Sequence, residues 1–467
     1  MSSESRDIPR TGLSADLRDS STPLGMTAAN KPRRQLGLFD ATMIVMGGIV
    51  GAGIFANPSE VAHRVHTPFL ILGVWVLGGL LAMCGAFIWA ELATRLPGAA
   101  GGQYVYLREA YHPAVAFVYG WGLLLVTQTG GMAAVAVIFA SYFRELTGVT
   151  WNASIIAAVI LLILTGINCF GARAGSNVQS ALMLLKIGAI GALVIIGFAV
   201  GGHSPEQSAA VLGQPFSLDL FKNIGAAMVP IAFAYGGWQT ATFVAAEIRD
   251  PRRDLSRGLL LGVAGVVTLY VGVNVACLRV LGPAGLDRTT TPASDLIRVV
   301  LGESGARWIA LAITISALGF LSQSMLTAPR VYYAMARDGL FFKSVGKLFG
   351  KTEAPVVAII IQGVAAILIA CSGTYGEILN FEVTVDFIFF GMTAAALFVL
   401  RSHRIGSDSV TYPVPGHPFT TILFVLSCAG IVLSAISASP GNSAIALCIM
   451  LAGLPVYYLW RRSRRGS

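Results

Sequence analysis

The sequence predicts an all-α integral membrane protein of about twelve transmembrane helices, and three observations lead there. Hydrophobic residues make up 55% of the 467 and charged residues only 12%, with a mean hydropathy of +0.73. A water-soluble globule of this size does not bury that much apolar surface, so lipid must cover much of it. Apolar segments recur at 38–63, 68–96, 114–143, 153–171, 178–201, 223–246, 258–281, 305–335, 354–372, 375–400, 419–438 and 443–460. Most reach the roughly 20 residues that a helix needs to cross a hydrocarbon core of about 30 Å. They are continuously apolar, whereas lipid-facing barrel strands alternate over about 10 residues.

The third observation is where the charge lies. A net charge of +9 raises the question of nucleic acid. With the N-terminus taken as cytoplasmic, 24 of the 32 Lys and Arg fall on the side of the two termini, 7 on the other, and Lys186 within a span. The positive-inside rule then puts both termini in the cytoplasm of a cell or bacterial inner membrane, and the basic balance reports topology. No basic stripe sits on a soluble domain, so nucleic-acid binding is not expected. Residues 1–35, rich in Ser, Arg and Asp, read as a disordered cytoplasmic tail. The six cysteines fall in or beside apolar spans without CxxC or metal-ligand spacing, and neither a metal nor a cofactor is expected.

The first span contains Gly47-Gly48-Ile49-Val50-Gly51-Ala52-Gly53. Four glycines in seven residues disfavour a continuous helix, each costing about 1 kcal/mol relative to alanine. The sixth span contains Pro230 and then Phe233-Ala234-Tyr235-Gly236-Gly237-Trp238-Gln239. Each cluster comes roughly ten residues into its span, which is near mid-bilayer. Close helix packing explains either cluster alone about as well as a break does. Two clusters at matching depth, five helices apart, favour an inverted repeat whose broken helices meet at the midplane. The repeats would occupy 36–201 and 202–401, followed by two further helices over 402–460 and a short tail over 461–467. Unwound backbone offers N–H groups to a carboxylate and C=O groups to an ammonium, so the site suits a zwitterion.

The run Gly51 to Phe55, the run GAAGGQYVYLREAY from Gly98 to Tyr111, Phe233 to Trp238 and Glu247 to Arg252 add recognisable motifs. Ala328 to Phe341 and Val414 to Pro418 extend them in order. Over about 36–460 the chain resembles the amino acid–polyamine–organocation superfamily, most of all bacterial relatives of the L-type amino acid transporters. The resemblance implies a five-plus-five inverted-repeat (LeuT-like) fold and sodium-independent transport of amino acids by alternating access. It implies a substrate site built from Ile49, Val50, Gly51, Ala52, Gly53, Phe233, Ala234, Tyr235, Gly236 and Gln239. The substrate carboxylate would meet the N–H groups of 51–53, and its ammonium the carbonyls near Ile49 and at Phe233, Ala234 and Gly236. Phe233, Trp238 and Glu247 would gate the site, Phe233 lying over the substrate. Eukaryotic L-type members carry a loop cysteine that links a glycoprotein partner. The corresponding loop here, Arg144 to Asn152, has none, so no disulfide-linked heavy chain is expected and the chain reads as a monomer or weak oligomer.

Three ionisable residues lie inside spans. Lys186, a third of the way into the fifth, is costly enough there to imply a function, although snorkelling to the interface is the plainer alternative. The resemblance implies that its ammonium takes the place of a sodium ion, with Ser322 of the eighth span nearby, leaving exchange or proton coupling. Glu382 and Asp386, at i and i+4 in the tenth span, depart from the neutral residues usual in L-type relatives. Asp386 either faces the substrate side chain and selects cationic amino acids or polyamines, or joins Glu382 in a proton relay or as an arginine's buried partner. Plain exposure near the outer rim is the further alternative, chiefly for Glu382. Glu91 and Arg95 suit a structural i, i+4 pair. No GxSxG, HExxH or Walker loop is present, and the six histidines are scattered, which speaks against an enzyme. A channel or a transport-inactive sensor is the alternative from another class.

Overall fold

The computed structural model describes residues 33–51, 53–199, 217–289, 291–350, 353–372 and 375–465. The expected N-terminal tail falls almost wholly outside the described residues, and so does Ala52. The described chain is helical, with only two isolated bridges, Leu36 with Ile248 and Phe349 with Ala354. In order the α-helices are α1 (Leu38–Ile49), α2 (Gly53–Val65), α3 (Pro68–Arg95), α4 (Gln103–Ala110), α5 (Pro113–Gly122) and α6 (Gln128–Thr147). Then come α7 (Ala153–Cys169), α8 (Ala172–Ala199), α9 (Leu218–Tyr235), α10 (Ser256–Arg288), α11 (Pro292–Leu301) and α12 (Glu303–Thr327). The last six are α13 (Pro329–Arg337), α14 (Val356–Ser372), α15 (Tyr375–Ser402), α16 (Phe419–Ala438), α17 (Pro440–Leu451) and α18 (Gly453–Arg465).

Among the described residues, eight helices or helix pairs are long and apolar enough to cross a membrane, and three shorter apolar helices accompany them. Large apolar side chains stand outward on these helices, with Leu162 64%, Ile195 69% and Phe419 80% exposed. That is the inside-out surface that lipid covers. The interior holds Trp75, Trp89, Trp238 and Tyr270 together with a set of buried polar groups.

The first apolar segment is two helices. α1 stops at Ile49, Val50 is extended (φ −74°, ψ 95°), and α2 starts at Gly53. Not every glycine of the cluster serves this break. A Cβ on Gly47 would run into the Gln179 side chain, and one on Gly48 would come within 2.6 Å of the Gly237 carbonyl. Those two therefore admit neighbours, as the close-packing reading expects, and the helix runs on to Ile49 before the chain unwinds at Val50.

The sixth segment breaks differently. α9 ends at Tyr235, Gly236 is extended, and Gly237 takes φ +108°, a conformation that glycine adopts without strain. Beyond it Trp238–Glu247 is a 3₁₀ helix of 10 residues, long for that form. The sequence reading had not distinguished this half from the α-helix before it. Pro230 lies inside α9, and its carbonyl accepts a hydrogen bond from Asn57 Nδ2 of α2 at 2.7 Å. The two broken segments are thus tied together. The third segment is also irregular, with a π turn over Leu123–Thr127 between α5 and α6.

Candidate functional site

The two breaks face one cavity. It encloses about 730 Å³ of empty space, counting the part that opens to solvent. Of the residues expected to bind, Ile49, Gly51, Gly53, Phe233, Ala234, Gly236, Gln239 and Asp386 line it. Phe387 and Phe390 beside Asp386 line it too, and so do Thr127, Gln128, Thr240, Phe320 and Gln323, which sequence reasoning did not name. Only the polar type of Gln323 and Thr240 inside apolar spans marked them in advance.

Tyr235, Val50 and Trp238 are not on the cavity wall. The Tyr235 ring packs 5.7 Å from Trp75 and 5.2 Å from Tyr270, behind the break, because the helix turn at that position carries its side chain away from Phe233. The Trp238 ring sits 5.1 Å from Phe390 and 6.2 Å from Trp89, one layer back, where it supports Phe390 rather than the cavity. Val50 contributes its carbonyl to a different partner.

That partner is Lys186. The residue is 1% exposed on α8, and its ammonium donates to the Val50 carbonyl. It does not snorkel. α12 admits its methylene end at Gly319, where any Cβ would occupy the same space. The next carbonyls are also taken from the side. Tyr270 Oη donates to Ile49 O at 3.1 Å, and Ser316 Oγ donates to Gly51 O at 3.0 Å. Three successive carbonyls of the unwound stretch thus each hold a side-chain donor, which is how backbone freed from a helix stays satisfied away from water. Ser316, not Ser322, is the α12 hydroxyl at this place. The Ser322 hydroxyl is buried and lacks a hydrogen-bond partner. The Ile49 carbonyl that the resemblance assigned to a substrate ammonium thus already accepts a hydrogen bond from Tyr270.

At the sixth segment, Gly236 N–H donates to Ala232 O at 2.9 Å and to Phe233 O at 3.3 Å. Gln239 Oε1 accepts from Gly237 N–H at 3.1 Å, and Thr240 Oγ1 donates to Gly237 O at 2.6 Å. Gln323 Nε2 reaches across from α12 to Thr240 Oγ1 at 2.6 Å. The start of the 3₁₀ helix is thereby fixed to α12. Its other end is closed by a buried ion pair, Arg330 Nε to Glu247 Oε1 at 2.7 Å and Nη2 to Oε2 at 3.3 Å. The Glu247 carbonyl accepts from Gln35 and Leu36 N–H at 2.8 and 3.0 Å, and Gly101 N–H donates to Phe243 O at 3.1 Å. The glycine-rich run before α4 thus packs against this half-helix.

Glu91 and Arg95 form the expected pair at 2.8 Å. Arg401 of α15 joins them at 2.5 Å, and Val414 N–H donates to Glu91 at 2.8 Å. No group of His, Cys, Asp or Glu among the described residues is placed to hold a metal.

The family model for amino acid permeases matches residues 36–457. The serine/threonine exchanger SteT of Bacillus subtilis (strain 168) is 29% identical over 442 residues, 92% of this chain and 98% of that protein. The large neutral amino acids transporter small subunit 2 of Oryctolagus cuniculus is 27% identical over 460 residues, 96% of this chain and 83% of its own length. The b(0,+)-type amino acid transporter 1 of Mus musculus is 27% identical over 453 residues, 94% and 90% of the two chains. A match running from two residues before α1 into the last helix takes in every element that builds the cavity, and on it the chain belongs to the amino acid permease family.

Proposed function

We propose that this chain carries free amino acids across the membrane by alternating access, without sodium, as an exchanger or a proton-coupled carrier. The observation that carries the reading is the cavity shared by the breaks at Val50–Gly51 and Gly236–Gly237, with Lys186 seated behind the first. Main-chain groups at two half-helix ends offer both signs of partial charge, which is the complement of a zwitterion's shared end. The lysine ammonium fills a position beside unwound carbonyls that would otherwise attract a cation. In this reading the helices form twelve crossings in two inverted sets of five plus two, with both termini cytoplasmic, as the bias of Lys and Arg supports. Phe233 on the cavity wall and the Glu247–Arg330 pair at the far end of the 3₁₀ helix are then the gates. The loop between α6 and α7 has no cysteine, so a disulfide-linked partner has no attachment point there.

Counterflow in proteoliposomes tests this. Purified protein loaded with one amino acid at high concentration should take up the labelled form saturably, to the same extent with sodium or choline outside. Flux that never saturates would point to a channel, and uptake that collapses without sodium would remove the role given to Lys186.

A further inference from the structure

Among the described residues, Glu382 and Asp386 are the only charged side chains on the cavity wall. They sit one turn apart on α15, so two carboxylates share one face of one helix. Among the described residues neither has an ion-pair partner, and Glu382 Oε2 is buried without any hydrogen bond. Every other buried acid described above is answered by an arginine: Glu91 by Arg95 and Arg401, Glu247 by Arg330. The surroundings are shaped for these two. Gly131 of α6 faces the Glu382 carboxylate so closely that a Cβ there would lie 2.9 Å from Oε2. Thr127, 3% exposed and on the cavity wall, closes the π turn that precedes α6. Its hydroxyl lies beside Asp386 but meets nothing in a hydrogen bond of ordinary geometry. π turns of this kind commonly reorient a side chain at a functional position. Phe387 and Phe390 line the same wall.

We propose that Glu382, Asp386 and Thr127 form the pocket for a positively charged side chain, so that the amino acids carried are basic ones. The inference rests on the reading of the chain as an amino acid carrier and names its substrate class. Paired carboxylates without a basic neighbour are costly inside a membrane protein, and a cation entering through the cavity answers both. A side-chain ammonium brings three donors and no acceptor. The free carboxylate oxygens and the Thr127 oxygen supply the acceptors. Phe387 and Phe390 flank the pocket with surface for an aliphatic stem and with ring faces that favour a nearby cation. The helix breaks on the other wall are left for the α-amino and carboxylate groups, which every amino acid shares.

The test compares L-lysine with L-norleucine, which has the same stem without the terminal ammonium. Full-length protein in proteoliposomes is assayed by counterflow with each. The ratio of kcat/KM for lysine to that for norleucine should be roughly tenfold or more in favour of lysine, and should fall by about tenfold in Asp386→Asn, with Glu382→Gln moving in the same direction. Lysine, not norleucine, should raise the thermal stability of the purified protein in detergent. That binding measurement and the wild-type ratio decide the matter if a variant carries nothing. Preference for norleucine, or a ratio unmoved by Asp386→Asn, overturns the pocket while leaving amino acid transport intact. Absence of counterflow with every amino acid tried overturns the carrier reading, and this inference with it.

Discussion

Replacing Glu247 by glutamine isolates one buried charge at the inner end of the 3₁₀ half-helix. In the native structure Glu247 is 4% and Arg330 3% exposed, and two hydrogen bonds join them at 2.7 and 3.3 Å. Without the carboxylate the guanidinium keeps its bond to the Leu326 carbonyl but has no counter-charge. Removing one partner of such a pair costs about 3–5 kcal/mol, because the other charge stays buried. At roughly 1.4 kcal/mol per factor of ten, that is two to three and a half powers of ten in population. The protein relieves the strain by unfolding, or by opening this end so that water reaches Arg330. Arg330→Met strands Glu247 in the same way. The double variant strands neither charge, so its loss should be well short of the two single losses added together. Unfolding free energies in detergent micelles and counterflow rates for all four proteins form the cycle. Additive losses in the double variant would refute the argument, since they would mean that the two residues act through separate contacts.

Lys186→Ala removes the donor to the Val50 carbonyl and empties the space beside Gly319, and amino acid exchange should be lost while wild-type flux survives sodium removal. Robust sodium dependence of the wild type would contradict the cation-substitute role. Gly237→Ala forces a side chain into φ +108° and against the Gly48 carbonyl, so stability should fall by at least about 1–2 kcal/mol and flux with it. A fully active, undestabilised alanine variant would show that the two breaks need not touch. Arg401→Met leaves Glu91 with Arg95 and Val414 N–H but removes its bidentate partner, for an expected loss of about 1.5–3 kcal/mol in unfolding free energy. An unchanged unfolding free energy would place the tie between α3 and α15 elsewhere.

The helices and both breaks were legible because each depends on local chemistry: runs of apolar residues, and glycines where a helix is disfavoured. The depth of Lys186 was legible for the same reason, since a single charge stands out against lipid. What could not be read was direction and partner. Tyr235 and Trp238 lie within the same six-residue motif as Phe233, yet their side chains turn away from the cavity, Tyr235 by helical rotation and Trp238 beyond the turn at Gly236–Gly237. Ser322 and Ser316 are equivalent as sequence, and only the packing of α12 against α1 decides that Ser316 meets the Gly51 carbonyl. Gly47 and Gly48 read as part of a break but serve as contact points, because closeness to Gln179 and Gly237 comes from residues more than a hundred positions away. The 3₁₀ form of Trp238–Glu247 has no composition of its own, and tertiary ties at Gly237, Thr240 and Gln323 accompany it.

The ionisable groups inside this bundle divide by how each is answered. Glu91 is answered by two arginines and an N–H, Glu247 by one arginine, and Lys186 by a carbonyl that the broken helix releases. Each of those answers joins one segment to another, so the charge holds the bundle in a particular arrangement. Among the described residues, Glu382 and Asp386 line the cavity with no ion-pair partner of this kind. A buried carboxylate left unpaired by its own chain stays ionised only where something mobile completes it, and otherwise takes up a proton. On the pocket proposed above, that mobile partner would be a basic cargo, and by neutralising the wall it would lower the barrier to closing the cavity around it. The acid pair would then both select the substrate and favour its occlusion, coupling recognition to the conformational step.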